Sequence, residues 1–329
     1  MFCILSQFDF SQVHSLILVF LLVLGVGFLV QGGQSLTKGS VSIASYFNIS
    51  PLIIGLTIVS IATSMPELFT CIVAVQQSPD LAVGSIVGSN IANISLIVGL
   101  SALIVPLNSE SQLVKKELPA MLIISLLFVF LALDGFSRLE GLILVVAAIA
   151  YLYWIVKRAA EGNHDNGYEQ AKADNKGDNP NIILAVILVL LGGLLLWLGA
   201  DFLISSARVL AIRMGLSEVF VGLSIVALGT SLPELVVSIT SIVNKKSGLC
   251  LGNIVGSNFF NLTLIGGTSA LFFPFPVNGA FFKFEFPILI FISALFYFFL
   301  RKPDSSIGRN KGIVLLLFYV SLMTFMALK

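Results

Sequence analysis

Two glutamates carry the first chemical question. Glu67 and Glu234 each close a short run of hydroxyl-bearing residues: Thr63, Ser64, Pro66 and Glu67 in one place, Thr230, Ser231, Pro233 and Glu234 in the other. Thr and Ser stand four and three residues before each Glu, which on a helix stacks hydroxyl and carboxylate oxygens on one face. Both glutamates sit in long apolar surroundings, where a carboxylate costs roughly 2.5–3.5 kcal/mol by membrane-insertion scales. Such a charge needs a counter-charge, and no Lys or Arg is expected at comparable depth. The proline before each Glu lacks an N–H, so the carbonyl four residues back, Ala62 or Gly229, loses its helical donor.

A second pair of polar positions accompanies the first. Ser89 and Asn93 are four residues apart, and Ser257 and Asn261 repeat that spacing. Carboxylate, amide, hydroxyl and carbonyl oxygens, with neither sulfur nor imidazole, make a donor set for a hard cation. Two carboxylates balance one Ca2+; Na+ is of similar size and competes for the same oxygens, whereas Mg2+ gives up its water reluctantly. Proton exchange stays open, because a deeply placed Glu can also carry a proton. The two histidines, His14 and His164, lie far from either motif, and Cys3, Cys71 and Cys250 are scattered. That excludes most histidine- or thiolate-based metal chemistry. An intramembrane hydrolase is disfavoured too, since a twice-built site suits an ion better than an asymmetric reaction. A passive pore would set such oxygens in a ring. No catalytic residue is expected, and no cofactor apart from the transported ions.

The motifs are parts of a longer duplication. Residues 55–67, GLTIVSIATSMPE, match residues 222–234, GLSIVALGTSLPE, at eight of thirteen positions, and residues 84–103 match 252–271 at thirteen of twenty. The shared residues include Thr, Ser, Pro, Glu, Asn and Gly, and not only the aliphatic background that any two apolar helices have in common.

The elements that must position these residues are membrane helices. Hydrophobic residues make up 57% of the 329-residue chain and charged ones 11%, too few charges to keep a globular domain soluble. Apolar runs predict ten helices, at 12–33, 39–75, 81–105, 118–134, 139–156, 181–205, 216–243, 248–273, 282–300 and 311–328. The one sizeable hydrophilic stretch, 157–180, separates two five-helix halves, 1–156 and 181–329. Asp201, Glu218, Glu117 and Glu285 fall near predicted helix ends, where interfacial water would solvate them. Of the 18 basic residues, thirteen fall on one side of this arrangement and five on the other, which puts the central loop in the cytoplasm and both termini outside it. The motif helices are five apart, an odd shift, so the halves run in opposite directions. Inverted repeats with polar, Gly/Pro-interrupted helices in matching places point to a transporter site at the bilayer midplane.

The paired blocks GLTIVSIATSMPE with GSIVGSNIANI, and GLSIVALGTSLPE with GNIVGSNFFNL, resemble the α-repeats of the Ca2+/cation antiporter superfamily, particularly its microbial Na+/Ca2+ exchangers. The resemblance covers essentially the whole chain. It implies an all-α membrane protein of ten transmembrane helices in two inverted five-helix repeats, with α-repeats at 55–103 and 222–271, in the cell (inner) membrane. It implies exchange of Na+ for Ca2+ by alternating access, with H+-coupled cation exchange as the rival. Helices 1 and 6 would slide across a core of helices 2, 3, 7 and 8. By motif position, Glu67 and Glu234 would ligate both ions. Thr63, Ser64, Ser89, Thr230, Ser231 and Ser257 would serve mainly Na+, and Asn93 and Asn261 would sit at the centre. Backbone carbonyls around Ser60 and Ala227 would complete the cage. Partners would be cations and the lipid bilayer, with no nucleic acid and no obligatory protein partner. Several exchangers of this superfamily carry Asp where this chain has Asn261, and Ala62 stands where the motif has Gly.

Overall fold

Ser50 and Pro51 decide where the second helix starts. In the computed structural model, which describes residues 13–161, 181–215, 227–301 and 305–328, helix α1 spans Ser15–Phe47 and stops at Asn48, whose left-handed backbone (φ 55°, ψ 43°) turns its N–H back onto Ala44 and Ser45. The Ser50 hydroxyl then accepts from the Ile53 N–H, and Pro51 occupies the first turn, where its missing N–H costs nothing. Helix α2 therefore runs Pro51–Gln77, not 39–75, and residues 39–47 belong to α1. The apolar runs predict that the first helix ends at residue 33, just after Gly32 and Gly33, with a break at 34–38. Those glycines are instead where the α1 backbone meets its neighbours: a Cβ on Gly32 would lie 2.8 Å from the Leu196 nitrogen, and one on Gly33 would lie 2.8 Å from the Val236 side chain.

Helix α3 spans Pro79–Ile104, and α4 spans Leu118–Leu131 after a π-helical turn at Leu113–Glu117. Helix α5 (Arg138–Ala160) opens on a capping box in which Ser137 and Glu140 cap each other's backbone. Helix α6 runs Ile182–Arg213, eight residues beyond the expected end. A helical turn at Ala227–Thr230 leads into α7 (Leu232–Val243); α8 (Ser247–Phe272), α9 (Glu285–Leu300) and α10 (Arg309–Leu328) follow. Strands β1 (Leu107–Asn108) and β2 (Ser306–Ile307) pair antiparallel and tie the end of α3 to the start of α10. Helices α1, α2, α3, α5, α6, α8 and α10 are long and apolar enough to cross a membrane, and α7 and α9 are shorter apolar helices. Most of the expected loop at 157–180, the first part of the helix expected at 216–243, Glu218 and the start of the second motif lie outside the described residues.

Helix α8 is the axis of the packing. Its residues from Leu249 to Phe260 are all buried, and it contacts α2, α3, α4 and α7. Helices α1 and α6 lie against each other along the flank.

Two charges differ from expectation. Asp201 is in the body of α6 and 5% exposed, because that helix continues past it to Arg213. Glu117 is fully buried under the end of α5. Arg158 Nη1 donates to it at 3.0 Å and the Tyr151 hydroxyl at 2.7 Å, with Gln112 Nε2 at 3.4 Å; partner atoms, not water, offset its burial. Removing one member of a buried pair strands the other, at about 3–5 kcal/mol, whereas replacing both with apolar groups is far cheaper. Glu117→Leu alone is thus expected to lower the melting temperature in detergent clearly, and adding Arg158→Met to restore most of the loss. A double variant as unstable as the single one would show that the pair itself is not what matters.

Candidate cation site

Polar side chains converge where α2, α3, α7 and α8 meet. On α2, Ser60, Thr63, Ser64 and Glu67 are all buried. The helix stays regular at Pro66, and its wide turn lies upstream at Gly55–Val59. The second half differs: the chain leaves the helical path at Ser231 (φ −89°, ψ 5°), and α7 begins with Pro233 in its first turn.

Helices α3 and α8 carry one device twice. Asn90 Nδ2 donates to the Ile86 carbonyl at 2.7 Å and Asn258 Nδ2 to the Ile254 carbonyl at 2.8 Å. Ser95 and Thr263 bond back four residues in the same manner. Side chains that bond their own backbone compete with the helical ladder, and at both places the helix widens into a π turn, Asn93–Ile97 and Asn261–Ile265. Such turns cluster at functional positions.

Hydrogen bonds join the two halves. The Ser64 hydroxyl donates to Glu234 Oε1 at 2.9 Å, and Ser257 Oγ reaches the same oxygen at 3.5 Å. Thr63 Oγ1 donates to Asn253 Oδ1 at 3.1 Å and lies 3.4 Å from Ser257 Oγ. Ser89 and Ser231 hydroxyls are 3.1 Å apart, and Asn261 Nδ2 donates to Ser89 at 3.3 Å. Seven of the sequence-predicted residues thus fall into two hydrogen-bonded clusters: Thr63, Ser64, Glu234 and Ser257 in one, and Ser89, Ser231 and Asn261 in the other.

Glu67 faces Glu234 closely enough for the two carboxylates to interact directly. It is 3% exposed, and neither of its oxygens has a hydrogen-bond partner; the second oxygen of Glu234 and the Asn261 carbonyl oxygen are likewise unpartnered. A narrow cavity adjoins Glu67, lined also by Cys71, Ser85, Ile86, Ser89, Asn261 and Ile265. Buried oxygens are ordinarily satisfied. Two unit charges of like sign about 4 Å apart repel by about 4 kcal/mol at an effective dielectric of 20. The arrangement therefore calls for positive charge between the carboxylates, and what it offers that charge is oxygen alone. The donor set fits a hard cation as cargo.

The remaining predicted residues are placed less directly. Asn93 is fully buried with both amide atoms unpartnered, and no hydrogen bond links it to either cluster. The Ser60 hydroxyl turns away, donating to the Thr57 carbonyl at 3.1 Å, while its own carbonyl accepts from Thr63 at 3.3 Å. Thr230 and Ala227 lie on the short turn before α7, with Thr230 partly buried. Sequence reasoning missed Asn253, Ser85, Ser238 and Cys71. Asn253 and Ser85 are aligned but unlike members of the repeat, and Cys71 and Ser238 each stand four residues after a motif Glu; this departure from symmetry was the available signal.

The family model for sodium/calcium exchanger proteins matches residues 17–157 and 184–328, nearly all of both halves. The chain belongs to the sodium/calcium exchanger family. It is 34% identical over 312 residues to an uncharacterized membrane protein of Methanocaldococcus jannaschii, covering 91% of this chain and 97% of that one. It is 32% identical to the sodium/calcium exchanger MaX1 of Methanosarcina acetivorans, over 92% of this chain and 96% of the relative. A solved structure of the sodium-calcium exchanger NCX_Mj superposes with a TM-score of 0.83 at 31% identity, covering 94% of this chain and 99% of that one. Family membership makes the chain a multi-pass membrane antiporter and sets it among transporters, not enzymes.

Proposed function

We propose that this exchanger moves Na+ against Ca2+ by alternating access, through the site bounded by Glu67 and Glu234. The observation that carries the reading is the facing pair of buried carboxylates, one with both oxygens unpartnered, inside a cage of hydroxyl and amide oxygens. Two negative charges match one Ca2+ or two Na+, and ions that compete for shared ligands cannot be bound together, which is the basis of exchange. Thr63, Ser64, Ser89, Thr230, Ser231 and Ser257 supply neutral oxygens suited to Na+. Asn93 and Asn261 hold the centre, and the Ser60 and Ala227 carbonyls border it. Ten transmembrane helices in two inverted five-helix repeats, with both termini outside the cytoplasm, complete the proposal; the paired π turns and the distribution of Lys and Arg support it. The ions are cargo, and no resident cofactor is needed. The name of MaX1 favours Na+ as the coupling ion. H+ coupling is the second reading, because two facing carboxylates can share a proton.

The test is uptake of radioactive Ca2+ into proteoliposomes loaded with Na+ and diluted into Na+-free medium, with a parallel pH-gradient arm. Uptake that follows the Na+ gradient supports Na+/Ca2+ exchange; uptake driven only by the pH gradient selects the H+ reading. Asn261→Asp puts a third carboxylate beside Ser89 and is expected to shift the half-maximal Na+ or Ca2+ concentration severalfold. Identical ion dependence in that variant would mean position 261 does not face the ions.

A further inference from the structure

Around Glu234 the site is closed by one side chain. Asn253 on α8 accepts from Thr63 Oγ1 of α2 at 3.1 Å, and its Nδ2 donates to Ser238 Oγ of α7 at 3.3 Å and to the Glu234 carbonyl at 3.5 Å. Its amide therefore bridges α2 and α7 from the third helix of the group, and Asn253 and Ser238 are both fully buried. The repeat puts Ser85 in the place of Asn253 and Cys71 in the place of Ser238. A serine hydroxyl ends one bond beyond Cβ and offers a single donor, so it cannot span two helices as the amide does. Around Glu67 the side chains of Ser85 and Cys71 instead line the cavity. The two carboxylates thus stand in matching motifs with unlike surroundings: one behind an amide bridge, the other beside a narrow cavity that no such bridge crosses.

We propose that the Asn253/Ser85 asymmetry is the seal that sets which half of the ion pathway is closed. Asn253 is a positioning residue that holds α2, α7 and α8 together on the Glu234 side, while Ser85 leaves the Glu67 side without such a bridge to break. α2 leaves the site past Cys71 and α7 past Ser238, so in the inverted arrangement proposed above the two sides open to opposite faces of the membrane. Exchange then requires the Asn253 bridge to break each time the Glu234 side opens, which makes that opening the less populated state. This rests on the carboxylate pair being the ion site, but not on which ions use it.

The chain carries a reporter on each side. Cys71 lines the cavity, and Cys250 is buried in contact with Ser238 and Ser101. Full-length variants keeping only Cys71 or only Cys250 would be exposed in proteoliposomes to Ag+, a thiophilic cation small enough to follow the transported ions. The thiols left unreacted would then be counted after denaturation. Cys71 is expected to react at least about tenfold faster than Cys250. Asn253→Ser is expected to raise the Cys250 rate by about tenfold, the factor that goes with the net loss of one or two hydrogen bonds, and Ser85→Asn to slow Cys71. If Asn253→Ser fails to give a monodisperse protein, Asn253→Asp keeps the acceptor for Thr63 and removes the donor, and the same rise in Cys250 reactivity is expected. A Cys250 rate unchanged in a variant that still exchanges ions would overturn the seal. Reactivity that shifts as described in a protein that moves neither Na+ nor H+ against Ca2+ would leave the seal standing and refute the assigned ions.

Discussion

Glu67→Gln is expected to abolish gradient-driven Ca2+ uptake while leaving the protein folded, because it separates charge from shape at this site. Glutamine keeps the volume and one acceptor oxygen of the native side chain. The Glu67 oxygens hold no donor, so the fold loses no hydrogen bond. What disappears is one of the two charges that attract the cation, along with the repulsion between the carboxylates. In ion-free detergent the variant should therefore melt no lower than the unchanged protein. It should also lose the rise in melting temperature on adding Ca2+, since a ligand stabilises only a state that binds it, by about 2.7 kcal/mol at a hundred times its Kd. Glu234→Gln is expected to abolish uptake too, with a different stability signature. Its Oε1 accepts from Ser64 and Ser257, so a flipped amide would set N–H against those hydroxyls. Na+- or H+-driven Ca2+ uptake persisting in Glu67→Gln would refute the site.

What the sequence made legible was the chemistry, because polar residues stand out against an apolar background. Thr63, Ser64, Ser89, Ser231, Glu234, Ser257 and Asn261 could be named from spacing and repetition alone, and they form the two hydrogen-bonded clusters at the junction of α2, α3, α7 and α8. The helix types were legible for the same reason, yet not where α1 ends. Gly32-Gly33 looks the same in sequence whether it breaks a helix or lets another backbone approach, and only the presence of Leu196 and Val236 opposite decides. The bridge made by Asn253 was hidden because its partners, Thr63 and Ser238, lie in different motifs, and pairing across the fold leaves no local period. Glu117 was misread for a like reason. Its partners Tyr151 and Arg158 are 34 and 41 residues away, and an acidic residue near a helix end gives no sign of whether water or arginine faces it.

Gly192 is where the fold is expected to be least forgiving. Helices α1 and α6 meet at Gly25 with Gly199, Gly32 with Gly192, and Gly39 with Ala185, steps of seven residues along each helix in antiparallel order. A Cβ on Gly192 would lie 2.5 Å from the Leu36 nitrogen and 2.8 Å from its Cα, both backbone atoms that cannot rotate aside. In a bilayer, helices associate through such close packing rather than through hydrophobic burial, so even one methyl must push the two axes apart along a shared seam. Overpacking costs about 1–3 kcal/mol, and Gly192→Ala should show this as a lower melting temperature, with Gly192→Val larger still. Gly193 supplies the control. Its Cβ would meet only the Ala62 methyl at 3.9 Å, an ordinary contact, so Gly193→Ala should melt like the unchanged protein. Equal losses at both positions would mean that helix propensity, not the α1–α6 contact, governs the effect. At about 1.5 Å per residue, helices of 33 and 32 residues are some 50 Å long against a hydrocarbon core of about 30 Å. Such helices must tilt or project. A glycine seam that lets the pair tilt together as one body is what sliding past the ion site would require, so Gly192→Val should slow exchange by more than its loss of stability accounts for.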